Sequence, residues 1–284
     1  MTKSMNKNLK GKQGKGVSRQ VKGISKEANN SVIKPWDIIE LWTHRLMCGD
    51  ACNKDHLDQL LEGKQVDMVF TDPPYNINYQ RPWRHKILND HMSTRAYELF
   101  LRRVNQNIEK VLKDWWSLYE CIGWRNYHIM RKVLEKLFKL KSLIIWNKNY
   151  AALGYHYRTK YEMLCYGIKW KKAKIWHGAH NEKDVRDISR VATTKYIHPT
   201  EKPIELCKRA ILNSSNEKEV ILDVFWWSGS TLMAAEQTKR RAYVMELDPG
   251  YVELIIRRYK NSADTEDKII RCVNRKVKMD ELLD

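Results

Sequence analysis

The sequence holds no Cys-x-x-Cys pair among its six cysteines, Cys48, Cys52, Cys121, Cys165, Cys207 and Cys272. That argues against a structural zinc and against a disulfide framework. Cys48 and Cys52, four positions apart, read as packing residues. No apolar run is long enough to span a membrane and no leader-like segment is present. A reduced, cytoplasmic protein with no membrane association and no metal is therefore expected. Acidic residues are scarce: 34 Asp+Glu face 52 Lys+Arg, a formal net charge of +18. An excess of this size predicts attraction to a polyanion, nucleic acid first, with a merely basic protein as the bland alternative. Apolar residues are nearly absent from the first 34 positions, where nine Lys/Arg meet one acid, Glu27. Residues 1–35 read as a flexible basic arm, either a nonspecific phosphate contact or a solvated tail.

What is present is a chain of 284 residues with 43% hydrophobic content, enough for one large domain or a domain with a sizeable insertion. From Trp36 onward strand-like and helix-like segments alternate. Strands are expected at Val66–Phe70, Ser117–Ile122, Ser142–Trp146, Val220–Val224 and Ala242–Glu246. Helices are expected at Tyr97–Leu112, Arg125–Phe138, Pro203–Ile211, Thr231–Thr238 and Pro249–Tyr259. This alternation predicts an α/β fold with a mostly parallel, doubly wound sheet and ligands at the carboxyl ends of its strands. Residues 149–197 break the rhythm, setting Arg158, Lys160, Lys169, Lys171, Lys172 and Lys174 among Tyr155, Tyr157, Tyr161, Tyr166, Trp170 and Trp176. Basic groups neutralise phosphates and aromatic rings stack on bases, so the composition suits DNA contact as well as it suits a small local core.

The strongest chemical signal is Thr71-Asp-Pro-Pro-Tyr75, at the end of the first of those strands. Two prolines fix φ, remove two backbone donors and leave a stiff corner whose carbonyls accept hydrogen bonds. If Asp72 and the Pro73 carbonyl both accept from an exocyclic amino group, its lone pair leaves conjugation with the ring and can attack an electrophilic methyl. Tyr75 would stack on the base that carries the amine. A rigid strand-to-loop turn with a capping aspartate is the plain alternative.

Here the chain resembles the S-adenosylmethionine-dependent amino methyltransferases of DNA, which share Asp-Pro-Pro-Tyr or a close variant. His44-Arg-Leu-Met-Cys-Gly-Asp50 is similar to the family's Gly-Asp segment. Ile197-His-Pro-Thr-Glu-Lys-Pro203 is similar to its His-Pro-Thr-x-Lys-Pro segment, and Asp223–Thr231 to its cofactor loop. The resemblance spans about Trp42 to Tyr259 and implies a Rossmann-like methyltransferase fold. With the catalytic corner ahead of the cofactor loop, the order is that of the β class, in which residues 149–197 would hold an inserted target-recognition region. Residues 36–148 would then be the catalytic half, 198–262 the cofactor-binding half and 263–284 a C-terminal extension. The resemblance places Asp72, Pro73, Pro74 and Tyr75 in the catalytic slot. It places Asp50, Thr200, Lys202, Asp223, Phe225, Ser228, Gly229, Ser230, Thr231 and Glu246 around S-adenosylmethionine. His198 reads as structural. The implied partner is double-stranded DNA with a flipped target base, and a homodimer is compatible with the sequence.

An aspartate at the head of the corner resembles adenine-N6 enzymes more than cytosine-N4 enzymes, which stay open as the alternative. The chain departs from the family at Trp226 and Trp227, where relatives have glycine at one or both positions, and again at Asp114-Trp-Trp-Ser117 and Ile122-Gly-Trp-Arg125. Either the indoles turn away and Ser228, Gly229 and Ser230 hold the cofactor, or the slot is obstructed and the protein is a catalytically silent DNA-binding homologue.

Overall fold

The computed structural model describes residues 31–79, 87–151, 156–170, 173–190, 201–262 and 269–277. Thr200, His198 and residues 1–30 of the expected arm lie outside them. In chain order the strands are Ile38–Leu41 (β1), His44–Cys48 (β2), Val66–Thr71 (β3), Leu112–Ile122 (β4), Lys139–Asn147 (β5), Tyr161–Ile168 (β6), Val185–Asp187 (β7), Val220–Asp223 (β8), Arg241–Glu246 (β9) and Ile270–Cys272 (β10). The helices are Lys54–Leu61 (α1), Thr94–Val111 (α2), Tyr127–Leu134 (α3), Ile204–Ser214 (α4), Ser230–Gln237 (α5) and Pro249–Lys260 (α6).

One sheet in the order β10-β1-β2-β9-β8-β3-β4-β6-β5-β7 carries the fold. Its central five strands, β2, β9, β8, β3 and β4, run parallel. Antiparallel pairs flank them, β1 against β2 and β10 on one side and β6 against β4 and β5 on the other. The parallel centre follows from composition: β3, Val-Asp-Met-Val-Phe-Thr, is buried along its whole length, as a strand covered on both faces must be. On one face lie α1, α2 and α3, whose Leu57, Phe100, Val104 and Met130 share a core with Val69 and Leu118. On the other lie α4, α5 and α6, with Leu206, Leu232 and Ile255 packed on the opposite side of the strands.

Helix starts obey local chemistry. Ser93 accepts from the Ala96 N–H and so begins α2 ahead of Tyr97, one turn earlier than its apolar stripe suggests. Asp248 caps α6, and Pro249 fills its first turn, where a missing N–H costs nothing.

Two segments differ from expectation. Tyr161–Ile168, grouped by composition with the basic, aromatic region, is an inner strand of the sheet because Met163, Leu164, Cys165 and Tyr166 are all buried. Tyr166 stacks on Tyr119 at 4.8 Å inside the core. Asp114-Trp115-Trp116, expected to precede a strand, lies within β4, where a register irregularity accommodates it.

Strand order reverses between β3, whose chain moves on to β4, and β8, which leads on to β9. Such a switch point opens a crevice at the carboxyl ends of the strands. Asp223 ties its two sides together: Oδ1 accepts from Thr71 Oγ1 at 3.0 Å and the Phe225 N–H at 3.1 Å, and Oδ2 accepts from Thr231 Oγ1 at 2.6 Å. Burial pushes its pKa up to about 6 despite those donors. No helix of the described residues is long and apolar enough to cross a membrane. Asp223→Ala should leave two buried hydroxyls and a loop N–H unpaired and cost roughly 3 kcal/mol of stability, read as a lower urea midpoint at unchanged slope.

Candidate active site

At or just beyond the carboxyl ends of β2, β9, β8, β3 and β4 stand Asp50, Glu246, Asp223, Asp72 and Gly123. The sheet thus gathers four acids from distant parts of the chain onto one edge. The Asp-Pro-Pro-Tyr corner leaves β3 here, and three of its four carbonyls are taken. Trp227 Nε1 donates to the Asp72 carbonyl, Tyr97 Oη to that of Pro74 at 2.8 Å, and Asn126 Nδ2 to that of Tyr75 at 2.7 Å. Among the described residues no donor reaches the Pro73 carbonyl, and the buried Asp72 Oδ1 has no hydrogen-bond partner. Two neighbouring acceptors, one on the Asp72 side chain and one on the backbone that two prolines hold stiff, are therefore unpaired. The Tyr75 ring lies flat against Gly123, where an added Cβ would sit 3.1 Å from Tyr75 Cδ2.

Behind the corner is a buried charge network. Lys202 Nζ meets Asp72 Oδ2 at 2.5 Å and Glu162 Oε2 at 3.2 Å. Glu162 also pairs with Lys148 and accepts from Tyr75 Oη at 2.8 Å. Two cations thus face two carboxylates. Burial would raise Glu162, but Lys202 and Lys148 overcome it and hold its pKa down at about 2. For Lys202, burial opposes the charge, and the carboxylates of Asp72 and Glu162 outweigh it and raise the pKa. Asp72 itself is raised above the ordinary carboxylate range, first by burial, with Lys202 only partly compensating.

The corner floors a cavity of about 760 Å³ lined by Pro73, Pro74, Tyr75, Arg125, Lys148 and Arg158. That volume is ample for a nucleobase and its sugar. On the far side of the corner Gly49, Asp50, Phe225, Glu246 and Asp248 form a cleft, but it holds only about 30 Å³. A second hollow of about 20 Å³ lies around Ser228, Gly229, Ser230 and Thr231. Sites for small molecules run from roughly 300 Å³ upward. Trp227 walls all three spaces, standing between the narrow cleft and the wide cavity. Trp226 does turn away: it is buried against Gly229 in the core of α5 and α6, and its Nε1 has no partner there.

Asp50, Phe225 and Glu246, expected around a cofactor, come together on the cleft. Asp50 Oδ1 accepts from the Cys52 N–H, and burial pushes Glu246 up to about 8. Ser228 and Ser230 face one another at 3.0 Å beside Gly229, whose φ of 83° starts α5. Asp223 and Thr231, placed with them by the resemblance, line the same hollow and also form the strut between β3, β8 and α5. Lys202 lines both the small hollow and the wide cavity, and its charge is committed to Asp72. Sequence reasoning missed Glu162, Lys148, Tyr97 and Asn126. Glu162 was signalled only by being an acid at the start of an apolar run in a basic stretch.

A family model described as a DNA methylase matches residues 66–257. DNA adenine methyltransferase YhdJ of Escherichia coli (strain K12) is 28% identical over 249 residues, 72% of this chain and 81% of its own length. Type II methyltransferase M2.MboI of Moraxella bovis is 25% identical over 223 residues, 70% and 82% of the two chains. Among solved structures, the complex of M1.HpyAVI with SAM has a TM-score of 0.58 at 22% identity, covering 75% of this chain and 98% of that one. PvuII DNA methyltransferase, cytosine-N4-specific, has a TM-score of 0.62 at 16% identity, covering 79% and 89%. These two share the fold.

Because Glu246 has a raised pKa when folded, it carries a proton into the native state. Its contribution is most favourable below the ordinary Glu range and declines as pH rises toward about 8. Glu246→Gln should raise the melting temperature at about pH 9 and change it little at about pH 5, measured by differential scanning fluorimetry.

Proposed function

The chain belongs to the DNA methylase family whose model spans residues 66–257, and we propose that within it the chain is a site-specific adenine-N6 methyltransferase of double-stranded DNA that uses S-adenosylmethionine. The observation that carries this reading is the pair of unpaired acceptors, Asp72 Oδ1 and the Pro73 carbonyl, on two residues that line the wide cavity. An exocyclic amino group has two N–H donors and needs two such partners. Accepting both draws the nitrogen lone pair away from the ring and turns it into a nucleophile. Preorganised acceptors that strengthen as charge develops on the amine are a main source of rate acceleration.

A base in stacked DNA cannot present that nitrogen to a buried corner, so the target nucleotide must swing out of the helix. The cavity mouth suits its arrival. Exposed Trp124 and Tyr157 offer stacking faces, and Arg125 and Arg158 offer charge to phosphates. Tyr75, backed by Gly123 and tethered to Glu162, supplies a flat wall for the base. Residues 149–160 and 169–197, outside β6, are the proposed target-recognition region.

S-adenosylmethionine would supply the methyl group from the cleft side, where Asp50 and Glu246 suit ribose and adenine polar atoms and Phe225 suits the adenine face. The donor set fits; the space does not, since the cleft and hollow that Trp227 walls hold only about 30 and 20 Å³. Cytosine-N4 transfer would use the same two acceptors, and a cytosine-N4-specific enzyme shares the fold.

Nucleosides digested from incubated DNA should contain N6-methyladenine, and N4-methylcytosine in its place would select the second reading. Asp72→Ala should lower methylation by at least ~10²-fold while the affinity for DNA is retained; full turnover would refute the slot. Because burial raises the Asp72 carboxyl, activity should fall on acidification at a pH above the ordinary aspartate range, as protonation turns an acceptor into a donor.

A further inference from the structure

Four tryptophans, Trp36, Trp42, Trp115 and Trp170, have φ of 74°, 57°, 75° and 76°. This is the left-handed region that a bulky L side chain avoids and that glycine enters freely. Among the described residues only two glycines, Gly63 and Gly229, have positive φ. Tryptophan thus occupies glycine's conformation more often than glycine does. The positions are ones that ask for glycine on other grounds. Trp42 sits in the two-residue turn joining β1 to β2, where positive φ matches the strand twist. Trp115 lies in the irregular stretch of β4 between Leu112 and Ser117, the kind of place a left-handed glycine takes in a bulge. All four indoles are exposed, at 54%, 54%, 45% and 56%, so no core holds these backbones in place.

The side-chain chemistry conflicts as well. His56 Nδ1 accepts from the Asp50 N–H at 3.0 Å, which puts the proton of a neutral ring on Nε2. Trp36 Nε1, also a donor, faces that Nε2 at 2.5 Å. Two N–H groups therefore oppose each other. Trp226 buries its Nε1 with no acceptor, and Trp227 walls the narrow cleft on which the cofactor-site residues converge. Trp146 is the contrast: it lies in β5, is 2% exposed, and donates from Nε1 to the Ile188 carbonyl at 2.7 Å.

We infer that the cell makes this protein with glycine at positions 36, 42, 115, 170, 226 and 227, the gene encoding them with UGA codons that its translation reads as glycine. UGA differs by one base from the glycine codon GGA and by one from the tryptophan codon UGG, so a single reassigned codon accounts for all six positions at once. Backbone conformation and side-chain chemistry support glycine at 36, 42, 115 and 170, apart from any reaction. Glycine at 226 and 227 rests on the cofactor reading above. Replacing Trp227 by glycine removes the indole between cleft and cavity and leaves a bare backbone beside Ser228 and Gly229.

The test is the gene sequence together with peptide masses of the protein isolated from the cells that carry the gene. The expected result is UGA at the six positions and UGG at Trp146, with each peptide lighter by one indolylmethylene per site and the Trp146 peptide unchanged. Tryptophan retained at the six sites in the native peptides overturns the inference. A second measurement compares the chain as written with a form carrying all six Trp→Gly changes, both made from ordinary codons. The glycine form should bind S-adenosylhomocysteine at least about tenfold more tightly in calorimetric titration and melt at a higher temperature. Equal or weaker binding overturns the assignment at 226 and 227. Glycine peptides with tight binding but unmethylated DNA would sink the proposed reaction and leave this inference standing.

Discussion

The interaction on which the site depends is the buried contact between Lys202 and Asp72. A carboxylate with almost no exposure to water loses most of its solvation and would take up a proton. Lys202 opposes that, and it is held in place because Glu162 shares its charge and Lys148 balances Glu162 in turn. The contact occupies one carboxylate oxygen and leaves the other open. A site that must accept from an amine needs this asymmetry: one oxygen pinned for charge and position, the other free for the substrate. Removing either partner would leave an uncompensated buried ion, so the pair is a constraint more than a source of stability.

The sheet makes that contact meaningful. Asp72 and Asp223 end neighbouring parallel strands, and the reversal of strand order between them opens the fold at its carboxyl edge. Asp223 spends its oxygens on Thr71, Thr231 and the Phe225 backbone. One acid of the pair therefore holds the two halves together while the other faces the cavity. Tyr97 and Asn126 cap the Pro74 and Tyr75 carbonyls of the corner between them. This capping confines the acceptors of a generic proline turn to its Asp72–Pro73 end.

Much of this was legible in the sequence wherever a local rule decides. The apolar runs at Val66 and Val220 could only be strands covered on both faces, and the Asp-Pro-Pro-Tyr corner announced its acceptors through its prolines. Asp50, Phe225 and Glu246 were placed by motif and do converge on the cleft. What sequence could not show is set by pairing at long range. Glu162 joins the site because β6 inserts antiparallel beside β4, 87 residues after Tyr75 in the chain. Composition saw tyrosines and lysines there and grouped the strand with the surface. Nor could it show the strut that Asp223 forms, since the hydroxyl donors that reach it come from two other elements. The two tryptophans of the loop part company for a packing reason: one finds a core against Gly229 and the other finds only the cleft.

A structure of the protein from its own cells with S-adenosylhomocysteine and a duplex containing its target site addresses the central claim most directly. The account predicts an extruded base with its exocyclic nitrogen within hydrogen-bonding distance of both Asp72 Oδ1 and the Pro73 carbonyl, with Lys202 still on Oδ2. A base bound elsewhere, or Lys202 bridging both oxygens of Asp72 so that neither is open, would contradict it.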